Sequence, residues 1–257
     1  MKSKLFRIAR FTLIILFWLG IWAFAAHRMG KPLLFPSPIA VLKRLGELLQ
    51  TADFYRTTLN SLWNVLAGIL IAMLLGTSLS VLTAKISLLR DLVLPIMTII
   101  KTTPVASFII LALIWIGSAK VPTFITVLIV LPIIWTNLDV GFSKIDPQLT
   151  EVAKVYRFSP WKRLRILTLP SLKPYFVSAC RTSIGLAWKA GIAAEIIAKP
   201  LGTIGVMIDD AKNYIMTTDM FAWTLTVILL SLLIEFAFSA LLKRLEKKKQ
   251  ESEETRC

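Results

Sequence analysis

Charged side chains inside otherwise apolar stretches are the residues of this sequence best suited to chemistry. Lys101, Arg181, Lys189 and Glu195 each lie in a run of mostly apolar residues. A charge near the centre of a bilayer costs about 3 kcal/mol on insertion scales, so it usually faces a cavity, a partner or the bundle interior. Because cations in such a position attract anions, Lys101 and Lys189 predict a translocation path that favours an anionic solute.

A structural interpretation of the same charges competes with this one. Glu235 lies in another apolar stretch and could neutralise Lys189, while Arg181 could extend its head group toward the membrane surface. The helical wheel places Glu195 on the face of Arg181, because close to four turns separate them, and turns Lys189 about 80° away. Pro104 follows the first cation and predicts a kink. The candidate path residues are Lys101, Pro104, Lys189 and Glu195.

The sequence carries no pattern for catalysis of its own. It has no phosphate-binding G-x-x-x-x-G-K-[ST] loop, no H-E-x-x-H pattern and no Cys/His cluster with metal-ligand spacing. Its single histidine, His27, lies beside Arg28 at a predicted membrane edge, where an interfacial side chain is the expected role. We therefore expect no catalytic residue, metal or cofactor on this chain, and any ATP hydrolysis must come from a partner.

Composition favours a membrane protein over a soluble domain. The chain is 56% apolar, its mean hydropathy is +0.72 and its formal net charge is +15. The basic residues cluster in loops and termini, so membrane topology explains them better than nucleic acid does. Membrane lipid, and not nucleic acid, is the expected partner of this charge.

Six apolar stretches predict an all-α, polytopic membrane protein. The predicted spans cover about residues 8–29, 57–84, 92–117, 121–137, 174–198 and 221–242. They divide the chain into a tail with the first helix (1–30), an outer amphipathic segment (31–56), a core of five spans (57–242) with a loop over 142–171, and a tail (243–257). Ala23-Phe24-Ala25 also resembles a signal-peptide cleavage site, but two tryptophans and a long apolar run favour a retained first helix.

Two local patterns predict how helices pack. Ser37-Pro38 opens a short helix on the outer surface. We expect one side of that helix to carry Ile39, Leu42, Leu45 and Leu49. In the second span, Gly68, Ala72 and Gly76 recur every four residues, a spacing that lets helix backbones approach closely. We expect those small residues to serve packing within the chain.

The distribution of basic residues predicts the topology. Six spans place both termini on one side, and the tails and loops of that side hold 19 of the 30 Lys and Arg, against 8 in the opposite loops. Cytoplasmic segments carry such an excess. Both termini and the loop over 142–171 are therefore expected in the cytoplasm.

That basic loop predicts two short amphipathic helices joined by a bend. Apolar residues recur at helical spacing on both sides of Phe158-Ser159-Pro160. Ser159 is placed to cap the second helix with Pro160 as its first residue. Pro170 is expected to end that helix, since the residue before a proline leaves helical space.

The loop resembles the EAA loop of bacterial ABC-importer permeases, whose pattern is E-A-A, three residues, Gly, nine residues, then I-x-L-P. Glu151, Ala153 and the closing Leu-Thr-Leu-Pro at 167–170 match it. Arg157 stands at the glycine position, where a positive φ costs a residue with a Cβ about 1 kcal/mol or more. In the family this loop docks onto the ATP-binding subunit. The resemblance assigns that coupling role to Glu151, Val152, Ala153, Arg157, Leu167, Leu169 and Pro170.

The resemblance extends over about residues 32–246. IKTTP at 100–104 and GLAWKAGIAAEIIA at 185–198 are similar to family segments. The likeness is greatest to permeases for nitrate, sulfonate and taurine. It implies the type I importer fold in the bacterial cytoplasmic membrane, a homodimer, separate ATPases that bind the ATP, a solute-binding protein and alternating access. Lys189 departs from the usual apolar residue, so the solute stays open between a small anion and a thiamine precursor or another heterocyclic vitamin.

Two functions from other classes make different predictions. A membrane enzyme acting on lipid would need acidic or histidine clusters at a membrane edge, and Asp209-Asp210, on the outer side, is the one acidic pair considered. A stand-alone carrier would be expected to show an internal repeat. No convincing repeat is visible in the six spans.

Overall fold

A computed structural model describes residues 2–254, and their backbone is helical almost throughout. The helices are α1 (Lys2–Met29), α2 (Pro38–Leu48), α3 (Ala52–Lys85), α4 (Ser87–Thr102), α5 (Val105–Ile116), α6 (Val121–Ser143), α7 (Pro147–Val155), α8 (Pro160–Arg163), α9 (Leu169–Ala198), α10 (Ile204–Asn213) and α11 (Thr217–Glu254). A 3₁₀ turn (Ser118–Lys120) precedes α6, and a π-helical segment (Leu164–Thr168) joins α8 to α9.

The predicted all-α polytopic fold is confirmed. Within residues 2–254, four stretches are long and apolar enough to cross a membrane: Ala9–Met29, Ala52–Lys85, Ser118–Ser143 and Thr217–Ala240. The α4–α5 pair adds a fifth if it is one broken span. The predicted fifth span lies in α9, whose 30 residues make about 45 Å of helix, although its charged residues lower its hydropathy.

Helix α6 forms the centre of the bundle and packs against α3 on one side and α9 on the other. The small residues of α3 allow the first contact. A Cβ on Gly68 would lie 2.6 Å from the Cβ of Thr126 and 2.8 Å from the carbonyl oxygen of Thr123, which is closer than real side chains approach. The small-residue spacing therefore serves packing within the chain, as the sequence predicts.

The predicted third span is two helices. The α4 and α5 axes meet at 105°, and the break falls at Thr103 and Pro104. Thr103 is extended (φ −76°, ψ 136°) because the proline ring excludes helical geometry from the residue before it. A kink was expected at this proline, and the structure shows a sharp turn in its place.

Helix α2 begins where the sequence predicts, and the side that carries Val41 and Leu45 packs inward. Ser37 caps it, its Oγ accepting a hydrogen bond from the Ala40 backbone N–H at 3.3 Å. Val41 and Leu45 are buried, whereas Ile39 is 80% exposed. The other residues of the predicted apolar side, Leu42 and Leu49, are exposed as well, and Leu45 alone of the four is buried. The contact of α2 with α11 determines the buried side, and its sequence periodicity alone does not.

Candidate functional site

The basic loop folds as two short helices, each with a capped N-terminus. The Asp146 side chain accepts a hydrogen bond from the Gln148 backbone N–H at 2.8 Å and begins α7. Ser159 begins α8 by accepting one from the Lys162 backbone N–H at 3.3 Å, as predicted. The Nζ atom of Lys162 lies 4.3 Å from the ring centroid of Phe158, close enough for a cation–π contact across the bend.

The bend is a Schellman motif with Arg157 in the position that favours glycine. The Phe158 N–H donates to the Ala153 carbonyl at 2.9 Å, and the Arg157 N–H donates to the Lys154 carbonyl at 3.0 Å. Arg157 has φ +46°. The positive φ that the resemblance implies is therefore present, and an arginine adopts it.

Replacing Arg157 by glycine is expected to stabilise the chain by about 1 kcal/mol, because it removes a Cβ from left-handed backbone and keeps both capping hydrogen bonds. The measurement is thermal unfolding of the detergent-purified chain. Tyr156→Gly is the control, because Tyr156 has φ −80° and gains nothing from glycine. An unfolding midpoint for Arg157→Gly at or below that of the parent would mean that the arginine side chain makes a contact that offsets the strain.

Pro170 does not end the second helix, and that prediction is wrong. The backbone continues from α8 through the π-helical segment into α9, with Pro170 in the first turn of α9 and Pro174 inside that helix. The Leu169 N–H donates to the Leu164 carbonyl, a five-residue step. A proline lacks an N–H, and the missing donor falls where the hydrogen-bond pattern has already changed.

The predicted coupling residues divide between surface and interior. Glu151, Val152, Arg157, Leu169 and Pro170 are exposed, whereas Ala153 and Leu167 are buried. Helix α7 also presents apolar side chains to solvent, and we call this surface the α7 face. It consists of Leu149, Val152, Val155 and Tyr156.

A second group of charges lies in a groove between α9 and α11. Arg181 and Lys189 line a cavity of about 330 Å³ with Glu235, and Gly185 lies between them. A Cβ on Gly185 would lie 2.9 Å from Glu235 Oε1, so the glycine leaves room for this carboxylate. We call this cavity the α9–α11 groove.

The cations of the groove form no ion pair with the side chains that the structure describes. Among the residues that the structure describes, no nitrogen of Arg181 or Lys189 pairs with the Glu235 carboxylate within 4.0 Å. The alternative in which Lys189 pairs with Glu235 is therefore not formed in this structure. Arg181 also borders a cavity of about 380 Å³ that reaches Lys173 near the basic loop. These three cations recur every eight residues, about 12 Å apart along α9.

The other candidate path residues lie elsewhere. Lys101 is at the end of α4, where its Nζ donates to Thr136 Oγ1 of α6 at 2.6 Å, and it is not among the residues that line the α9–α11 groove. Pro104 is exposed at the break between α4 and α5. The structure therefore does not bring the two predicted path lysines to one cavity of a single chain.

Glu195 lies in the interior, and the expectation that it lines an open path does not hold in this structure. Its side chain has no exposed surface. Oxygen Oε2 accepts hydrogen bonds from Ser61 Oγ at 2.8 Å and from the Gly205 N–H at 3.1 Å, and Oε1 lies 3.5 Å from Asn64 Nδ2. Ser61 Oγ in turn accepts from the Ile204 N–H at 2.8 Å. Glu195 therefore joins α3, α9 and the start of α10.

The helical wheel misled because it grouped Arg181 with Glu195. The structure groups Arg181 with Lys189, since a groove between two helices is wide enough to receive residues about 80° apart on one of them. The sequence offered Glu235 as a partner for Lys189 but placed Arg181 toward the membrane surface, so it did not bring the three residues to one groove. Glu235 lies 46 residues beyond Lys189 along the chain.

An ion cluster holds the C-terminal half of α10 to the end of α9. Asp209 is buried and contacts Lys199 and Lys212, each at 2.6 Å, and Asn213 donates to it at 2.9 Å. The hydrogen bond from Lys199 is the largest cause, followed by that from Lys212, of a pKa for Asp209 lowered to about 2. This carboxylate therefore stays charged at any physiological pH.

The comparisons with known proteins agree with this architecture. Residues 68–250 match the model of the family described as binding-protein-dependent transport system inner membrane component. The chain is 31% identical to the bicarbonate transport system permease protein of Synechococcus elongatus over 75% of this chain and 68% of that protein. It is 26% identical to the nitrate import permease protein of Synechocystis (89% and 86% covered) and 23% identical to the taurine transport system permease protein of Escherichia coli (87% and 83%).

Proposed function

This chain belongs to the binding-protein-dependent transport system inner membrane components, the permeases of ABC importers, and we propose that it carries a small anion into the cell. We expect the solute to resemble those for which its relatives are named: nitrate, bicarbonate or a sulfonate such as taurine. Transport proceeds by alternating access, with the solute held between inward and outward openings.

One observation carries the choice of an anion. The α9–α11 groove presents Arg181 and Lys189 on a helix that crosses the bundle, and Glu235 forms no ion pair with either. An unneutralised cation at membrane depth needs a counter-charge. A transported anion supplies one, and Lys173 continues the series of cations toward the basic loop. Lys101 is a further candidate on the path.

The energy for transport reaches this chain from the ATPase through the basic loop. The α7 face and the neighbouring Glu151 form an exposed surface of apolar residues beside a single acid, which suits a groove on a separate ATPase subunit. Ala153 of α7 is buried, and Arg157, Leu167, Leu169 and Pro170 complete the set of residues to which the family pattern assigns coupling. ATP binds to the ATPase, and this chain catalyses no reaction.

The remaining partners follow from the same proposal. A second copy of the chain completes the pathway, a solute-binding protein delivers the solute on the outer side, and lipid surrounds the bundle. Both termini and the basic loop lie in the cytoplasm, in agreement with the excess of Lys and Arg on that side.

Glu151→Lys is expected to reduce co-purification of the ATPase subunit about tenfold, because it reverses the acid of the docking surface. The measurement is the ratio of ATPase to permease after affinity purification from cells that express both. Asp91→Lys is the matched control: it reverses an exposed acid on the same side, outside the loop. Equal ATPase recovery with Glu151→Lys and the control would contradict the docking role.

A further inference from the structure

A large cavity lies between the basic loop and the adjoining ends of α3 and α6. Its volume is about 1200 Å³, which exceeds the roughly 300–1,000 Å³ of small-molecule sites. Most of its wall is apolar. The large side chains that form this wall are Leu138, Phe142, Phe158, Trp161, Leu172 and Phe176.

The same cavity is bordered by cations. Lys85 comes from the end of α3 and Lys173 from α9. Arg163 is the last residue of α8, and Arg165 lies in the π-helical segment. No Asp or Glu is among the described residues that line the cavity, and none of the four cations forms an ion pair there. Apolar walls and an unpaired cationic border therefore occur together at the membrane edge of the basic loop.

This combination selects a ligand with an apolar body and an anionic head. A soluble anion would satisfy the cations and leave the aromatic wall exposed to water, which is unfavourable at about 25 cal/mol per Å² of apolar surface. A neutral lipid would cover the wall and leave the cations unpaired. Basic pockets between helices at the cytoplasmic side of membrane proteins bind anionic lipid head groups for this reason.

We propose that this cavity binds an anionic glycerophospholipid, with its phosphate at Arg163, Arg165, Lys85 and Lys173 and an acyl chain against the aromatic wall. The lipid thereby joins the π-helical segment between α8 and α9 to the ends of α3 and α6. The proposal does not rest on the docking of an ATPase or on the identity of the solute, because Arg163, Arg165 and Lys85 lie outside the α7 face and the α9–α11 groove. Of the four cations, Lys173 alone also belongs to the series along α9.

The test is native mass spectrometry of the full-length chain in detergent, titrated with phosphatidylglycerol or with phosphatidylcholine of the same acyl chains. The expected result is tight retention of phosphatidylglycerol and weak retention of phosphatidylcholine. Arg163→Gln with Arg165→Gln should weaken phosphatidylglycerol binding about thirtyfold, since each cation near an anionic lipid contributes roughly a fivefold factor. Gel filtration confirms that the variant is folded.

The matched control is Lys144→Gln with Lys154→Gln, which removes two charges from the same loop at positions that do not line the cavity. It should leave phosphatidylglycerol binding unchanged. Ala84 lines the cavity and is exposed there, so Ala84→Trp fills apolar space of the cavity and keeps every charge. This variant should also weaken lipid binding. Equal binding of the two lipids, equal losses in the two double variants, full binding by Ala84→Trp, or displacement of the lipid by millimolar inorganic phosphate would each overturn the proposal.

Discussion

Lys189→Glu is expected to lower uptake of an anionic solute about a hundredfold, because it replaces the deepest cation of the α9–α11 groove by a charge that repels the solute. Juxtaposed like charges cost several kcal/mol, and each 1.4 kcal/mol is a factor of ten. Lys189→Arg keeps the charge and should retain most of the uptake. The measurement is uptake of labelled nitrate, bicarbonate and taurine into proteoliposomes that contain the ATPase and the solute-binding protein.

Lys120→Glu is the matched control for that experiment. Lys120 is an exposed cation in the turn between α5 and α6, outside the groove, so the same charge reversal there should leave uptake unchanged. Recovery of the ATPase with Lys189→Glu should equal that of the parent, which separates a blocked path from a lost partner. Parental uptake of all three solutes by Lys189→Glu would show that the groove is not an anion path.

Glu195→Ala is expected to destabilise the chain by roughly 3–5 kcal/mol, since each buried donor left without its acceptor costs about 1–3 kcal/mol. The alanine removes the acceptor for Ser61 and for the Gly205 N–H, and it leaves a cavity in the contact among α3, α9 and α10. The measurement is denaturant or thermal unfolding of the detergent-purified chain.

Glu195→Gln makes that prediction specific to hydrogen bonding. Both strong donors, Ser61 Oγ and the Gly205 N–H, contact one oxygen of the carboxylate, and a glutamine amide supplies one such oxygen at the same position. The glutamine variant should therefore lose no more than about 1 kcal/mol. If it unfolds as readily as the alanine variant, the negative charge of Glu195 and not its accepting oxygen stabilises the junction.

The sequence was sufficient to predict most of the helices and several of their ends. Mostly apolar runs of about membrane length predicted α1, α3, α6 and α11, and the cap at Ser159 follows from local hydrogen bonding alone. The turn at Thr103 and the passage of the helix through Pro170 were not predicted. In both cases a proline limits the backbone, but the surrounding bundle decides whether the chain turns or continues.

The site was predicted less completely, because its residues meet across long separations. The family pattern indicated a positive φ at the glycine position but left open whether Arg157 keeps it, and the structure has it there. The interior position of Glu195 was not, because its partner Ser61 is 134 residues away and Gly205 belongs to the next helix. The groove at Lys189 likewise depends on Glu235 of α11, which no pattern within α9 reveals.

The continuous run of helix from Pro160 to Ala198 can transmit a rotation from one of its ends to the other. One end of this run adjoins the basic loop, where we propose that an ATPase docks, and Lys189 lies about 40 Å along it. A rotation of the first end about the helix axis turns that lysine through the same angle if the helix keeps its winding between them. The five-residue π-helical segment is the one place in this run where the winding changes, so it decides how much of each turn arrives.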